Sequence, residues 1–363
     1  MEDIIKIGEN SRVNDFLSKV NGKKPLFLCV IGNTETAKIP GISAAGINPE
    51  FTDFTPAADM EYLYYKKCKS IKGVPITPNG IPTPAIITKA SLDLANISCL
   101  VAVGGLRVYP KTPYIEFGGT PGGNISIDLA VKNSRKVFQN AKNWGIQISK
   151  IVDYLVIGES IAGGTTTALG VLTVMGFDAK SKISSSLPIN PIELKIKTVN
   201  SGLKNNNLKP GDLKYRPFAA IKYLGDPMQP VYAGLVIGAA KRIPIILAGG
   251  TQIAAILAVI NSIEPSILEN LAIGTTRWII SNKTTDLKGI VDQINPNIPI
   301  FAANLNFSHM KYDGLKAYEQ GAVKEGVGAG GSVIASIFST KGLVSIDKIN
   351  QKIEHDYKAI LKK

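Results

Sequence analysis

Residues 154–176, YLVIGESIAGGTTTALGVLTVMG, contain an aliphatic run, a glycine-rich turn and a helical stretch in direct succession. A run that is apolar on both faces is typical of a strand in a parallel sheet that helices cover on both sides. The same succession recurs along the chain and predicts strands at 25–32, 98–105, 154–159, 243–250, 271–280 and 298–304. We therefore expect an α/β fold, a doubly wound, Rossmann-like, mostly parallel sheet with helices on both faces.

The domain organisation follows from length and from the absence of a clean linker or tandem repeat in the sequence. A chain of 363 residues allows one large domain or two ordinary ones. We predict a single domain over 1–363, with a core at about 95–340 and a small helical lobe from about 50–95 and 341–363. The polar segment 197–215, KTVNSGLKNNNLKPGDLKY, predicts a long loop or an inserted flap.

The charge balance is basic, with 41 Lys and Arg against 28 Asp and Glu, a formal net charge of +13. Because these cations are spread along the chain, we interpret them mainly as a solvated surface that also attracts small anions such as phosphates. Nucleic acid binding would require basic runs interleaved with aromatic residues or arginine, and the sequence has only short clusters. We therefore expect no nucleic acid partner.

Localisation is predicted from the cysteines and from the hydrophobic segments. The three cysteines have no C-x-x-C spacing, and the first ten residues, MEDIIKIGEN, do not resemble a signal peptide. The uncharged stretch from Pro244 to Ile263 is long enough to span a membrane, but Gly249 and Gly250 divide it, which favours a strand, a turn and a helix. We expect a cytoplasmic protein with free thiols and no membrane segment.

Four glycine-rich stretches lie at or near predicted strand ends, where open α/β sheets bind their ligands. They are VGGLRVYP, IGESIAGGTTTAL, LAGGTQ and KEGVGAGGS. In the second, Gly163 and Gly164 allow a tight turn, and Thr165 and Thr166 begin a helix whose free N–H groups and dipole favour a phosphate. The alternative is an ordinary helix N-cap with a packing glycine.

The fourth stretch, GVGAGG at 326–331, fits the dinucleotide fingerprint G-x-G-x-x-G. That fingerprint requires a buried strand in front of it, and the preceding residues, KAYEQGAVKE, are charged and broken by a glycine. We therefore expect a helix after this loop, no strand before it and no dinucleotide.

Two carboxylates, Glu159 and Glu325, stand beside these glycine stretches. A carboxylate in such a crowded, partly dry place can act as a general base or hold a cationic group. The alternative is that each one only accepts hydrogen bonds from local N–H groups. The two histidines, His309 and His355, are too few for a histidine-based metal site, and we expect no metal and no cofactor.

Taken together, these motifs resemble the nicotinate-nucleotide:dimethylbenzimidazole phosphoribosyltransferase family of cobalamin biosynthesis. Residues 158–166, GESIAGGTT, match its G-E-M-G-I-G-N-T-T motif, with Gly164 in place of the asparagine. Residues 324–329, KEGVGA, match its G-E-G-[ST]-G-A motif, which places Glu325 at the position of the catalytic base. Similarity extends over about 150–340.

Two further departures from the family pattern are visible. Residues 238–250, GAAKRIPIILAGG, match the family's G-A-x-x-x-x-x-P-V-x-x-D-G motif, but Ala248 replaces its aspartate. The N-terminal part offers Tyr109 and Pro110 for the benzimidazole-binding segment but no clear glutamine. The whole chain looks like an archaeal branch of the family, and the phosphoribosyl half is the better match.

The resemblance implies that the protein transfers phosphoribose from nicotinate mononucleotide to a benzimidazole-like base, giving an α-ribazole phosphate and nicotinate. It implies Glu325 as the base, Glu159 near the ribose and a homodimer. The nucleotide-binding candidates are Gly163, Gly164, Thr165, Thr166, Gly249, Gly250 and Ser308, and the base-binding candidates are Gly326, Gly328 and Tyr109. The alternatives are a related glycosyltransferase that uses another base or donor, and a non-catalytic nucleotide-binding protein.

Overall fold

The computed structural model describes residues 2–43, 48–77 and 80–361. Within these ranges the strands form one eight-stranded sheet of order β1-β8-β7-β6-β5-β2-β3-β4, in which only β1 is antiparallel to its neighbour. The strands are β1 Ile4–Ile7, β2 Pro25–Gly32, β3 Ser98–Gly105, β4 Ile115–Glu116, β5 Tyr154–Ser160, β6 Ile245–Ala248, β7 Leu271–Thr276 and β8 Ile300–Ala303. The predicted mostly parallel α/β fold is confirmed.

Helices cover the sheet on both faces. They are α1 Asn10–Val20, α2 Thr55–Tyr65, α3 Ala85–Ala95, α4 Ser134–Ile148, α5 Gly164–Val174, α6 Ile192–Asn205, α7 Pro217–Leu224, α8 Met228–Ala239, α9 Gln252–Ile263, α10 Arg277–Ser281, α11 Leu287–Ile294, α12 Asp313–Lys316, α13 Ala329–Ser339 and α14 Ile346–Leu361. Three short 3₁₀ turns are Glu35–Lys38, Pro49–Asp53 and Pro265–Asn270.

Successive side chains of the central strands point to opposite faces of the sheet, and each face carries its own hydrophobic core. In β5, Leu155 and Ile157 face a core shared with α4, α5, α8 and α9, whereas Tyr154 and Val156 face a core shared with α1, α3, α13 and α14. Because a strand places successive side chains on opposite faces, a strand buried on both sides must be apolar throughout. This is why the aliphatic runs identify these strands so clearly.

Two predicted elements are corrected by the structure. The strand expected over 271–280 ends at Thr276, and α10 follows it, because the polar pair Thr275–Thr276 ends the apolar run. Of the segment expected as a loop over 197–215, residues 206–215 are turns and loop, whereas 197–205 belong to α6, which buries Lys195, Val199 and Leu203 on one face. The polar residues of 197–205 occupy the other face of this amphipathic helix.

The division into a core and a terminal lobe remains a prediction, although α14 does pack against α3. All three cysteines are free thiols, and Cys29 is buried in β2. Over the described ranges, no helix is long and apolar enough to cross a membrane.

The order in which the strands are connected indicates where a ligand can bind. β2 lies between β3 and β5, so the chain leaves β2 toward one edge of the sheet and later returns to build the other half. Such a reversal leaves a crevice at the carboxyl ends of the two adjoining strands. The residues after Gly32 and Ser160 therefore border the natural binding position of this fold.

Candidate functional site

A cavity of about 600 Å³ lies at this crevice. Its wall includes Glu159 and Ser160 from β5, the turn Ile161–Thr165 before and at the start of α5, and the loop Val323–Val327 in front of α13. Further lining residues come from α2, from 70–77 and 81–84, and from the serine run Ser184–Ser186. The structure therefore brings together the second and fourth glycine-rich stretches.

The predicted site residues divide into two groups by position. Those on the cavity wall are Glu159, Gly163, Gly164, Thr165, Glu325 and Gly326. Those outside the described lining are Thr166, Gly249, Gly250, Gly328, Tyr109 and Ser308. Gly249 and Gly250 nevertheless lie behind the carboxylates, since a Cβ on Gly249 would be 3.8 Å from Glu159 Oε1 and one on Gly250 would be 3.6 Å from Glu325 Cβ.

Tyr109 and Ser308 are held by local partners instead. The Tyr109 ring packs 5.5 Å from that of Tyr114, and Ser308 is exposed, with its hydroxyl donating to Asn306 Oδ1 at 2.7 Å. Thr166 lies behind the turn, where its N–H donates to Gly163 O at 2.9 Å. Its buried hydroxyl has no hydrogen-bond partner among the described residues. The N–H groups available at the start of α5 are therefore those of Gly164 and Thr165.

The glycines of GVGAGG bring α13 onto the strand ends. A Cβ on Gly330 would lie well under 3.0 Å from the Thr275 backbone, and one on Gly328 would be 2.9 Å from Gly158 Cα. The segment in front of the loop contains α12 and turns but no strand, so the dinucleotide context is missing, as predicted. These glycines serve close helix-to-sheet packing, and Gly326 alone of the four lines the cavity.

The loop that contains Glu325 is strained at both ends. Val323 and Val327 have φ values of +47° and +54°, in the left-handed region that β-branched residues rarely adopt. Hydrogen bonds hold this conformation: Val323 N–H donates to Ser186 O at 3.0 Å, Val327 N–H to Glu159 O at 2.8 Å, and the Thr88 hydroxyl to Val327 O at 2.9 Å. Strain of this kind persists where surrounding contacts over-determine the backbone, often at functional sites.

Glu325 is placed with its carboxylate over the start of α13. It accepts hydrogen bonds from the N–H groups of Gly330, at 3.2 Å, and Gly326, at 3.3 Å. Despite these bonds, burial raises its pKa to about 8. The carboxyl group is thus poised between its protonated and ionised forms near neutral pH.

Glu159 is almost fully buried at the end of β5, and Gln252 donates its side-chain N–H to it. Burial, then the nearby charges of Glu325 and Asp226, raise its pKa well above the ordinary value. Two carboxyl groups that share a dry site resist ionising together. A cation between or beside them would relieve that repulsion.

Four lining features are absent from the predicted site: Asp59, Gln252, Lys324 and the serine run. Asp59 is a buried acid in α2, and it stands with Glu61 in the otherwise apolar stretch PAADMEYL, which was a usable signal. Gln252 and Lys324 each stand next to a predicted motif. The serine run lies in a loop whose position no local pattern specifies.

Two buried lysines lie near the site, Lys324 on the cavity wall beside Glu325 and Lys195 behind the serine run. Lys324 Nζ donates to Gly321 O at 2.6 Å and to Leu187 O at 3.2 Å, and Lys195 Nζ donates to Ser184 O at 2.6 Å. Burial lowers their pKa values, to about 8 for Lys324 and, with the added charge of Lys324, to about 7 for Lys195. Neither ammonium has a carboxylate partner in the described part of the chain.

Solved structures share this fold. The nicotinate-nucleotide-dimethylbenzimidazole phosphoribosyltransferase of Thermus thermophilus matches with a TM-score of 0.58, covering 94% of each chain at 12% identity. A crystal structure of CobT from the same organism matches with a TM-score of 0.57 over 90% of this chain and 89% of the other, at 13% identity. At such identities the matches show a common fold, which is the fold that the motif resemblance predicted.

Sequence relatives are much closer. No protein-family model matches the chain. A UPF0284 protein of Sulfolobus acidocaldarius is 46% identical over 351 residues, which cover 93% of this chain and 99% of the relative. A UPF0284 protein of Methanothermobacter thermautotrophicus is 38% identical over 351 residues, covering 96% of each. With this identity over nearly the whole length, the chain belongs to the UPF0284 family.

Proposed function

We propose that this protein is a phosphoribosyltransferase that moves phosphoribose from nicotinate mononucleotide to an aromatic nitrogen base. The observation that supports this best is the pairing, in one cavity, of the buried Glu159 and the partly buried Glu325 with a helix start that favours an anion. The fold shared with the Thermus transferase is consistent with it. The homodimer expected from the motif resemblance is part of the proposal, and analytical ultracentrifugation tests it.

The donor would lie with its phosphate at the N–H groups of Gly164 and Thr165, where the dipole of α5 favours an anion. Its pyridinium cation and the ribose, which becomes cationic as the bond breaks, would lie beside Glu159. A positive charge there would also favour ionisation of the neighbouring carboxyl groups. Lys324, a buried cation on the cavity wall, is the candidate partner for the nicotinate carboxylate of the donor.

The transfer needs one base. The C1′–N bond breaks, its electron pair goes to the pyridinium nitrogen, and nicotinate leaves with a neutral ring. A ring nitrogen of the acceptor forms the new C1′–N bond from the opposite side, so the anomeric configuration inverts. The acceptor's N–H proton passes to the Glu325 carboxylate.

The direct test is mass spectrometry of products after incubation with nicotinate mononucleotide and a panel of benzimidazoles and purines. Release of nicotinate together with a base ribonucleoside monophosphate supports the proposal. Tight mononucleotide binding without any product would favour the non-catalytic alternative.

Replacing Gly164 by leucine should weaken binding of nicotinate mononucleotide. A Cβ at this position would be 2.9 Å from Ile161 Cγ2, and both residues line the cavity, so a leucine here would crowd the space at the proposed phosphate position. Loss of one charge-assisted hydrogen bond corresponds to about tenfold in Kd or more. Isothermal titration calorimetry measures the Kd of nicotinate mononucleotide for both proteins. Nicotinate riboside, which lacks the phosphate, is the control ligand, and its Kd should not change. Unchanged affinity for the mononucleotide would contradict the placement of the phosphate at the start of α5.

The pH dependence of kcat/KM should show a rising limb governed by Glu325. Its raised pKa, about 8, means that the basic form is scarce at pH 6 and increases by about tenfold per pH unit until it approaches that value. Initial rates between pH 5.5 and 9 measure this limb. A rate that stays flat from pH 6 to 8 would remove Glu325 from the role of base.

A further inference from the structure

Asp59 occupies a part of the cavity wall that the proposed transfer leaves without a task. It projects from α2, is only 2% exposed and lines the cavity. It is linked to the Glu325 loop through one continuous wall, since Gly326 lies against Pro84 and the preceding Thr83 donates its hydroxyl to Asp59 Oδ1 at 2.7 Å. The Ser160 hydroxyl, next to Glu159, donates to Asp59 Oδ2 at 2.7 Å.

The hydrogen-bonding capacity of this carboxylate is not exhausted. Each oxygen accepts one hydroxyl, whereas an ionised carboxylate can accept about four hydrogen bonds in all. No lysine or arginine side chain in the described ranges pairs with Asp59. Burial raises its pKa to about 6, so it is still mostly ionised at neutral pH. Because Asp59 lines the cavity, a ligand that donates a hydrogen bond would use this remaining capacity.

Counting donors on the acceptor base shows what that ligand must be. A benzimidazole has one N–H, and in the proposed transfer this proton goes to Glu325. Alkyl groups on the ring add no donor and would leave Asp59 facing apolar surface, which costs free energy for a buried charge. An amino or hydroxyl group on the ring would satisfy it.

We propose that Asp59 is a specificity-determining residue that selects acceptor bases with an additional hydrogen-bond donor, an amino or hydroxyl group, on the ring. This inference rests on the proposed function for the orientation of the base. A site that hydrogen-bonds a substrate group discriminates strongly against analogues that lack it, because its own polar group is then left unpaired.

The test compares 5-aminobenzimidazole with 5-methylbenzimidazole, two bases of nearly the same shape. Calorimetry with the full-length protein should give a Kd about ten- to a hundredfold lower for the amino base. In Asp59→Asn this ratio should fall by about tenfold, because the bond to a charged acceptor becomes at most a neutral one. Equal affinities in the unmodified protein, or no binding of either base, would overturn the inference.

Asp226→Asn is the matched control. Asp226 is also fully buried, accepts a threonine hydroxyl, from Thr167 at 2.6 Å, and has its pKa raised to about 6, but it lies outside the described cavity lining. The Asp226→Asn protein should keep the ratio of the two Kd values that the unmodified protein shows. If Asp59→Asn fails to fold, Thr83→Val is the substitute, because it removes one of the two hydroxyls that donate to the Asp59 carboxylate. The Thr83→Val protein should keep or increase the preference for the amino base. Loss of that preference in Thr83→Val would also refute the role of Asp59.

Product analysis with nicotinate mononucleotide separates this inference from the transfer itself. Phosphoribosylation of both bases with equal affinities would uphold the transferase and reject the role of Asp59. A preserved affinity ratio without any product would reject the transfer and support the Asp59 contact as a property of the cavity.

Discussion

Replacing Glu325 by glutamine should lower kcat by about 10²–10⁴-fold, the usual contribution of a positioned general base. The amide keeps the size of the side chain, and its oxygen can still accept from the Gly330 and Gly326 N–H groups, so the loop geometry is retained. Because the phosphate of nicotinate mononucleotide would be bound at α5, the Kd of this donor should change little. Single-turnover release of nicotinate measures the rate.

Glu319→Gln serves as the control for this substitution. Glu319 is a half-buried carboxylate near the same end of the sheet, but it bonds Arg277, the Trp278 indole and the Phe307 N–H, outside the described cavity lining. It should keep a near-normal rate per folded molecule. A Glu325→Gln protein with near-normal turnover would transfer the role of base to Glu159.

The same substitution should raise stability in a pH-dependent way. In the folded protein the pKa of Glu325 is raised from its ordinary 4.5 to about 8, so over this window the folded state binds more protons than the unfolded state. Wild-type stability therefore decreases as pH rises from about 4.5 to about 8, and the Glu325→Gln protein lacks this loss. Its Tm should exceed that of wild type by an amount that grows with pH, as expected where activity is traded against stability.

The central strands and the helices after them could be predicted because the patterns that specify them lie within short stretches of sequence. Five of the six expected strands were bounded closely, since a strand buried on both faces must be continuously apolar, and the helix starts after Gly163 and Gly328 follow from the glycine turns. The missed strands are β1, with four residues, and β4, with two, which are too short for a periodic signal. β1 and β4 are recognisable as strands only through their pairing with β8 and β3, the strands next to them at the two edges of the sheet.

The site was predicted less completely because much of it is assembled over long separations. Glu159 and Glu325 were found because each stands beside a glycine turn. Asp59 meets Ser160 across 101 positions, and Lys195 meets the serine run through the packing of α6, whose C-terminal part lies in the segment that was expected to be a loop. Tyr109 was chosen from a motif in the part of the chain where the family resemblance is weakest, and the structure places it outside the described lining.

Replacing Gly330 by alanine should impair both stability and catalysis, and it tests whether close packing of α13 positions Glu325. The new methyl group would lie well under 3.0 Å from the Thr275 carbonyl carbon and from Thr276 N, two backbone atoms that no rotamer change can move away. Overpacking of this kind typically costs about 1–3 kcal/mol of unfolding free energy. The start of α13 must shift outward, together with the Gly330 N–H that binds the Glu325 carboxylate.

A displacement of about 1 Å at reacting groups can cost about 10²-fold in rate, so kcat per folded molecule should fall by that order. Gly238→Ala separates the two effects. A Cβ there would clash as severely, with Lys142 O, but between α8 and α4, which contribute nothing to the described cavity wall. It should lower Tm comparably in thermal denaturation while leaving kcat per folded molecule near normal. If both variants lose rate only in proportion to folded protein, the glycines of 326–331 serve stability alone, and the position of Glu325 depends instead on the strained backbone at Val323 and Val327.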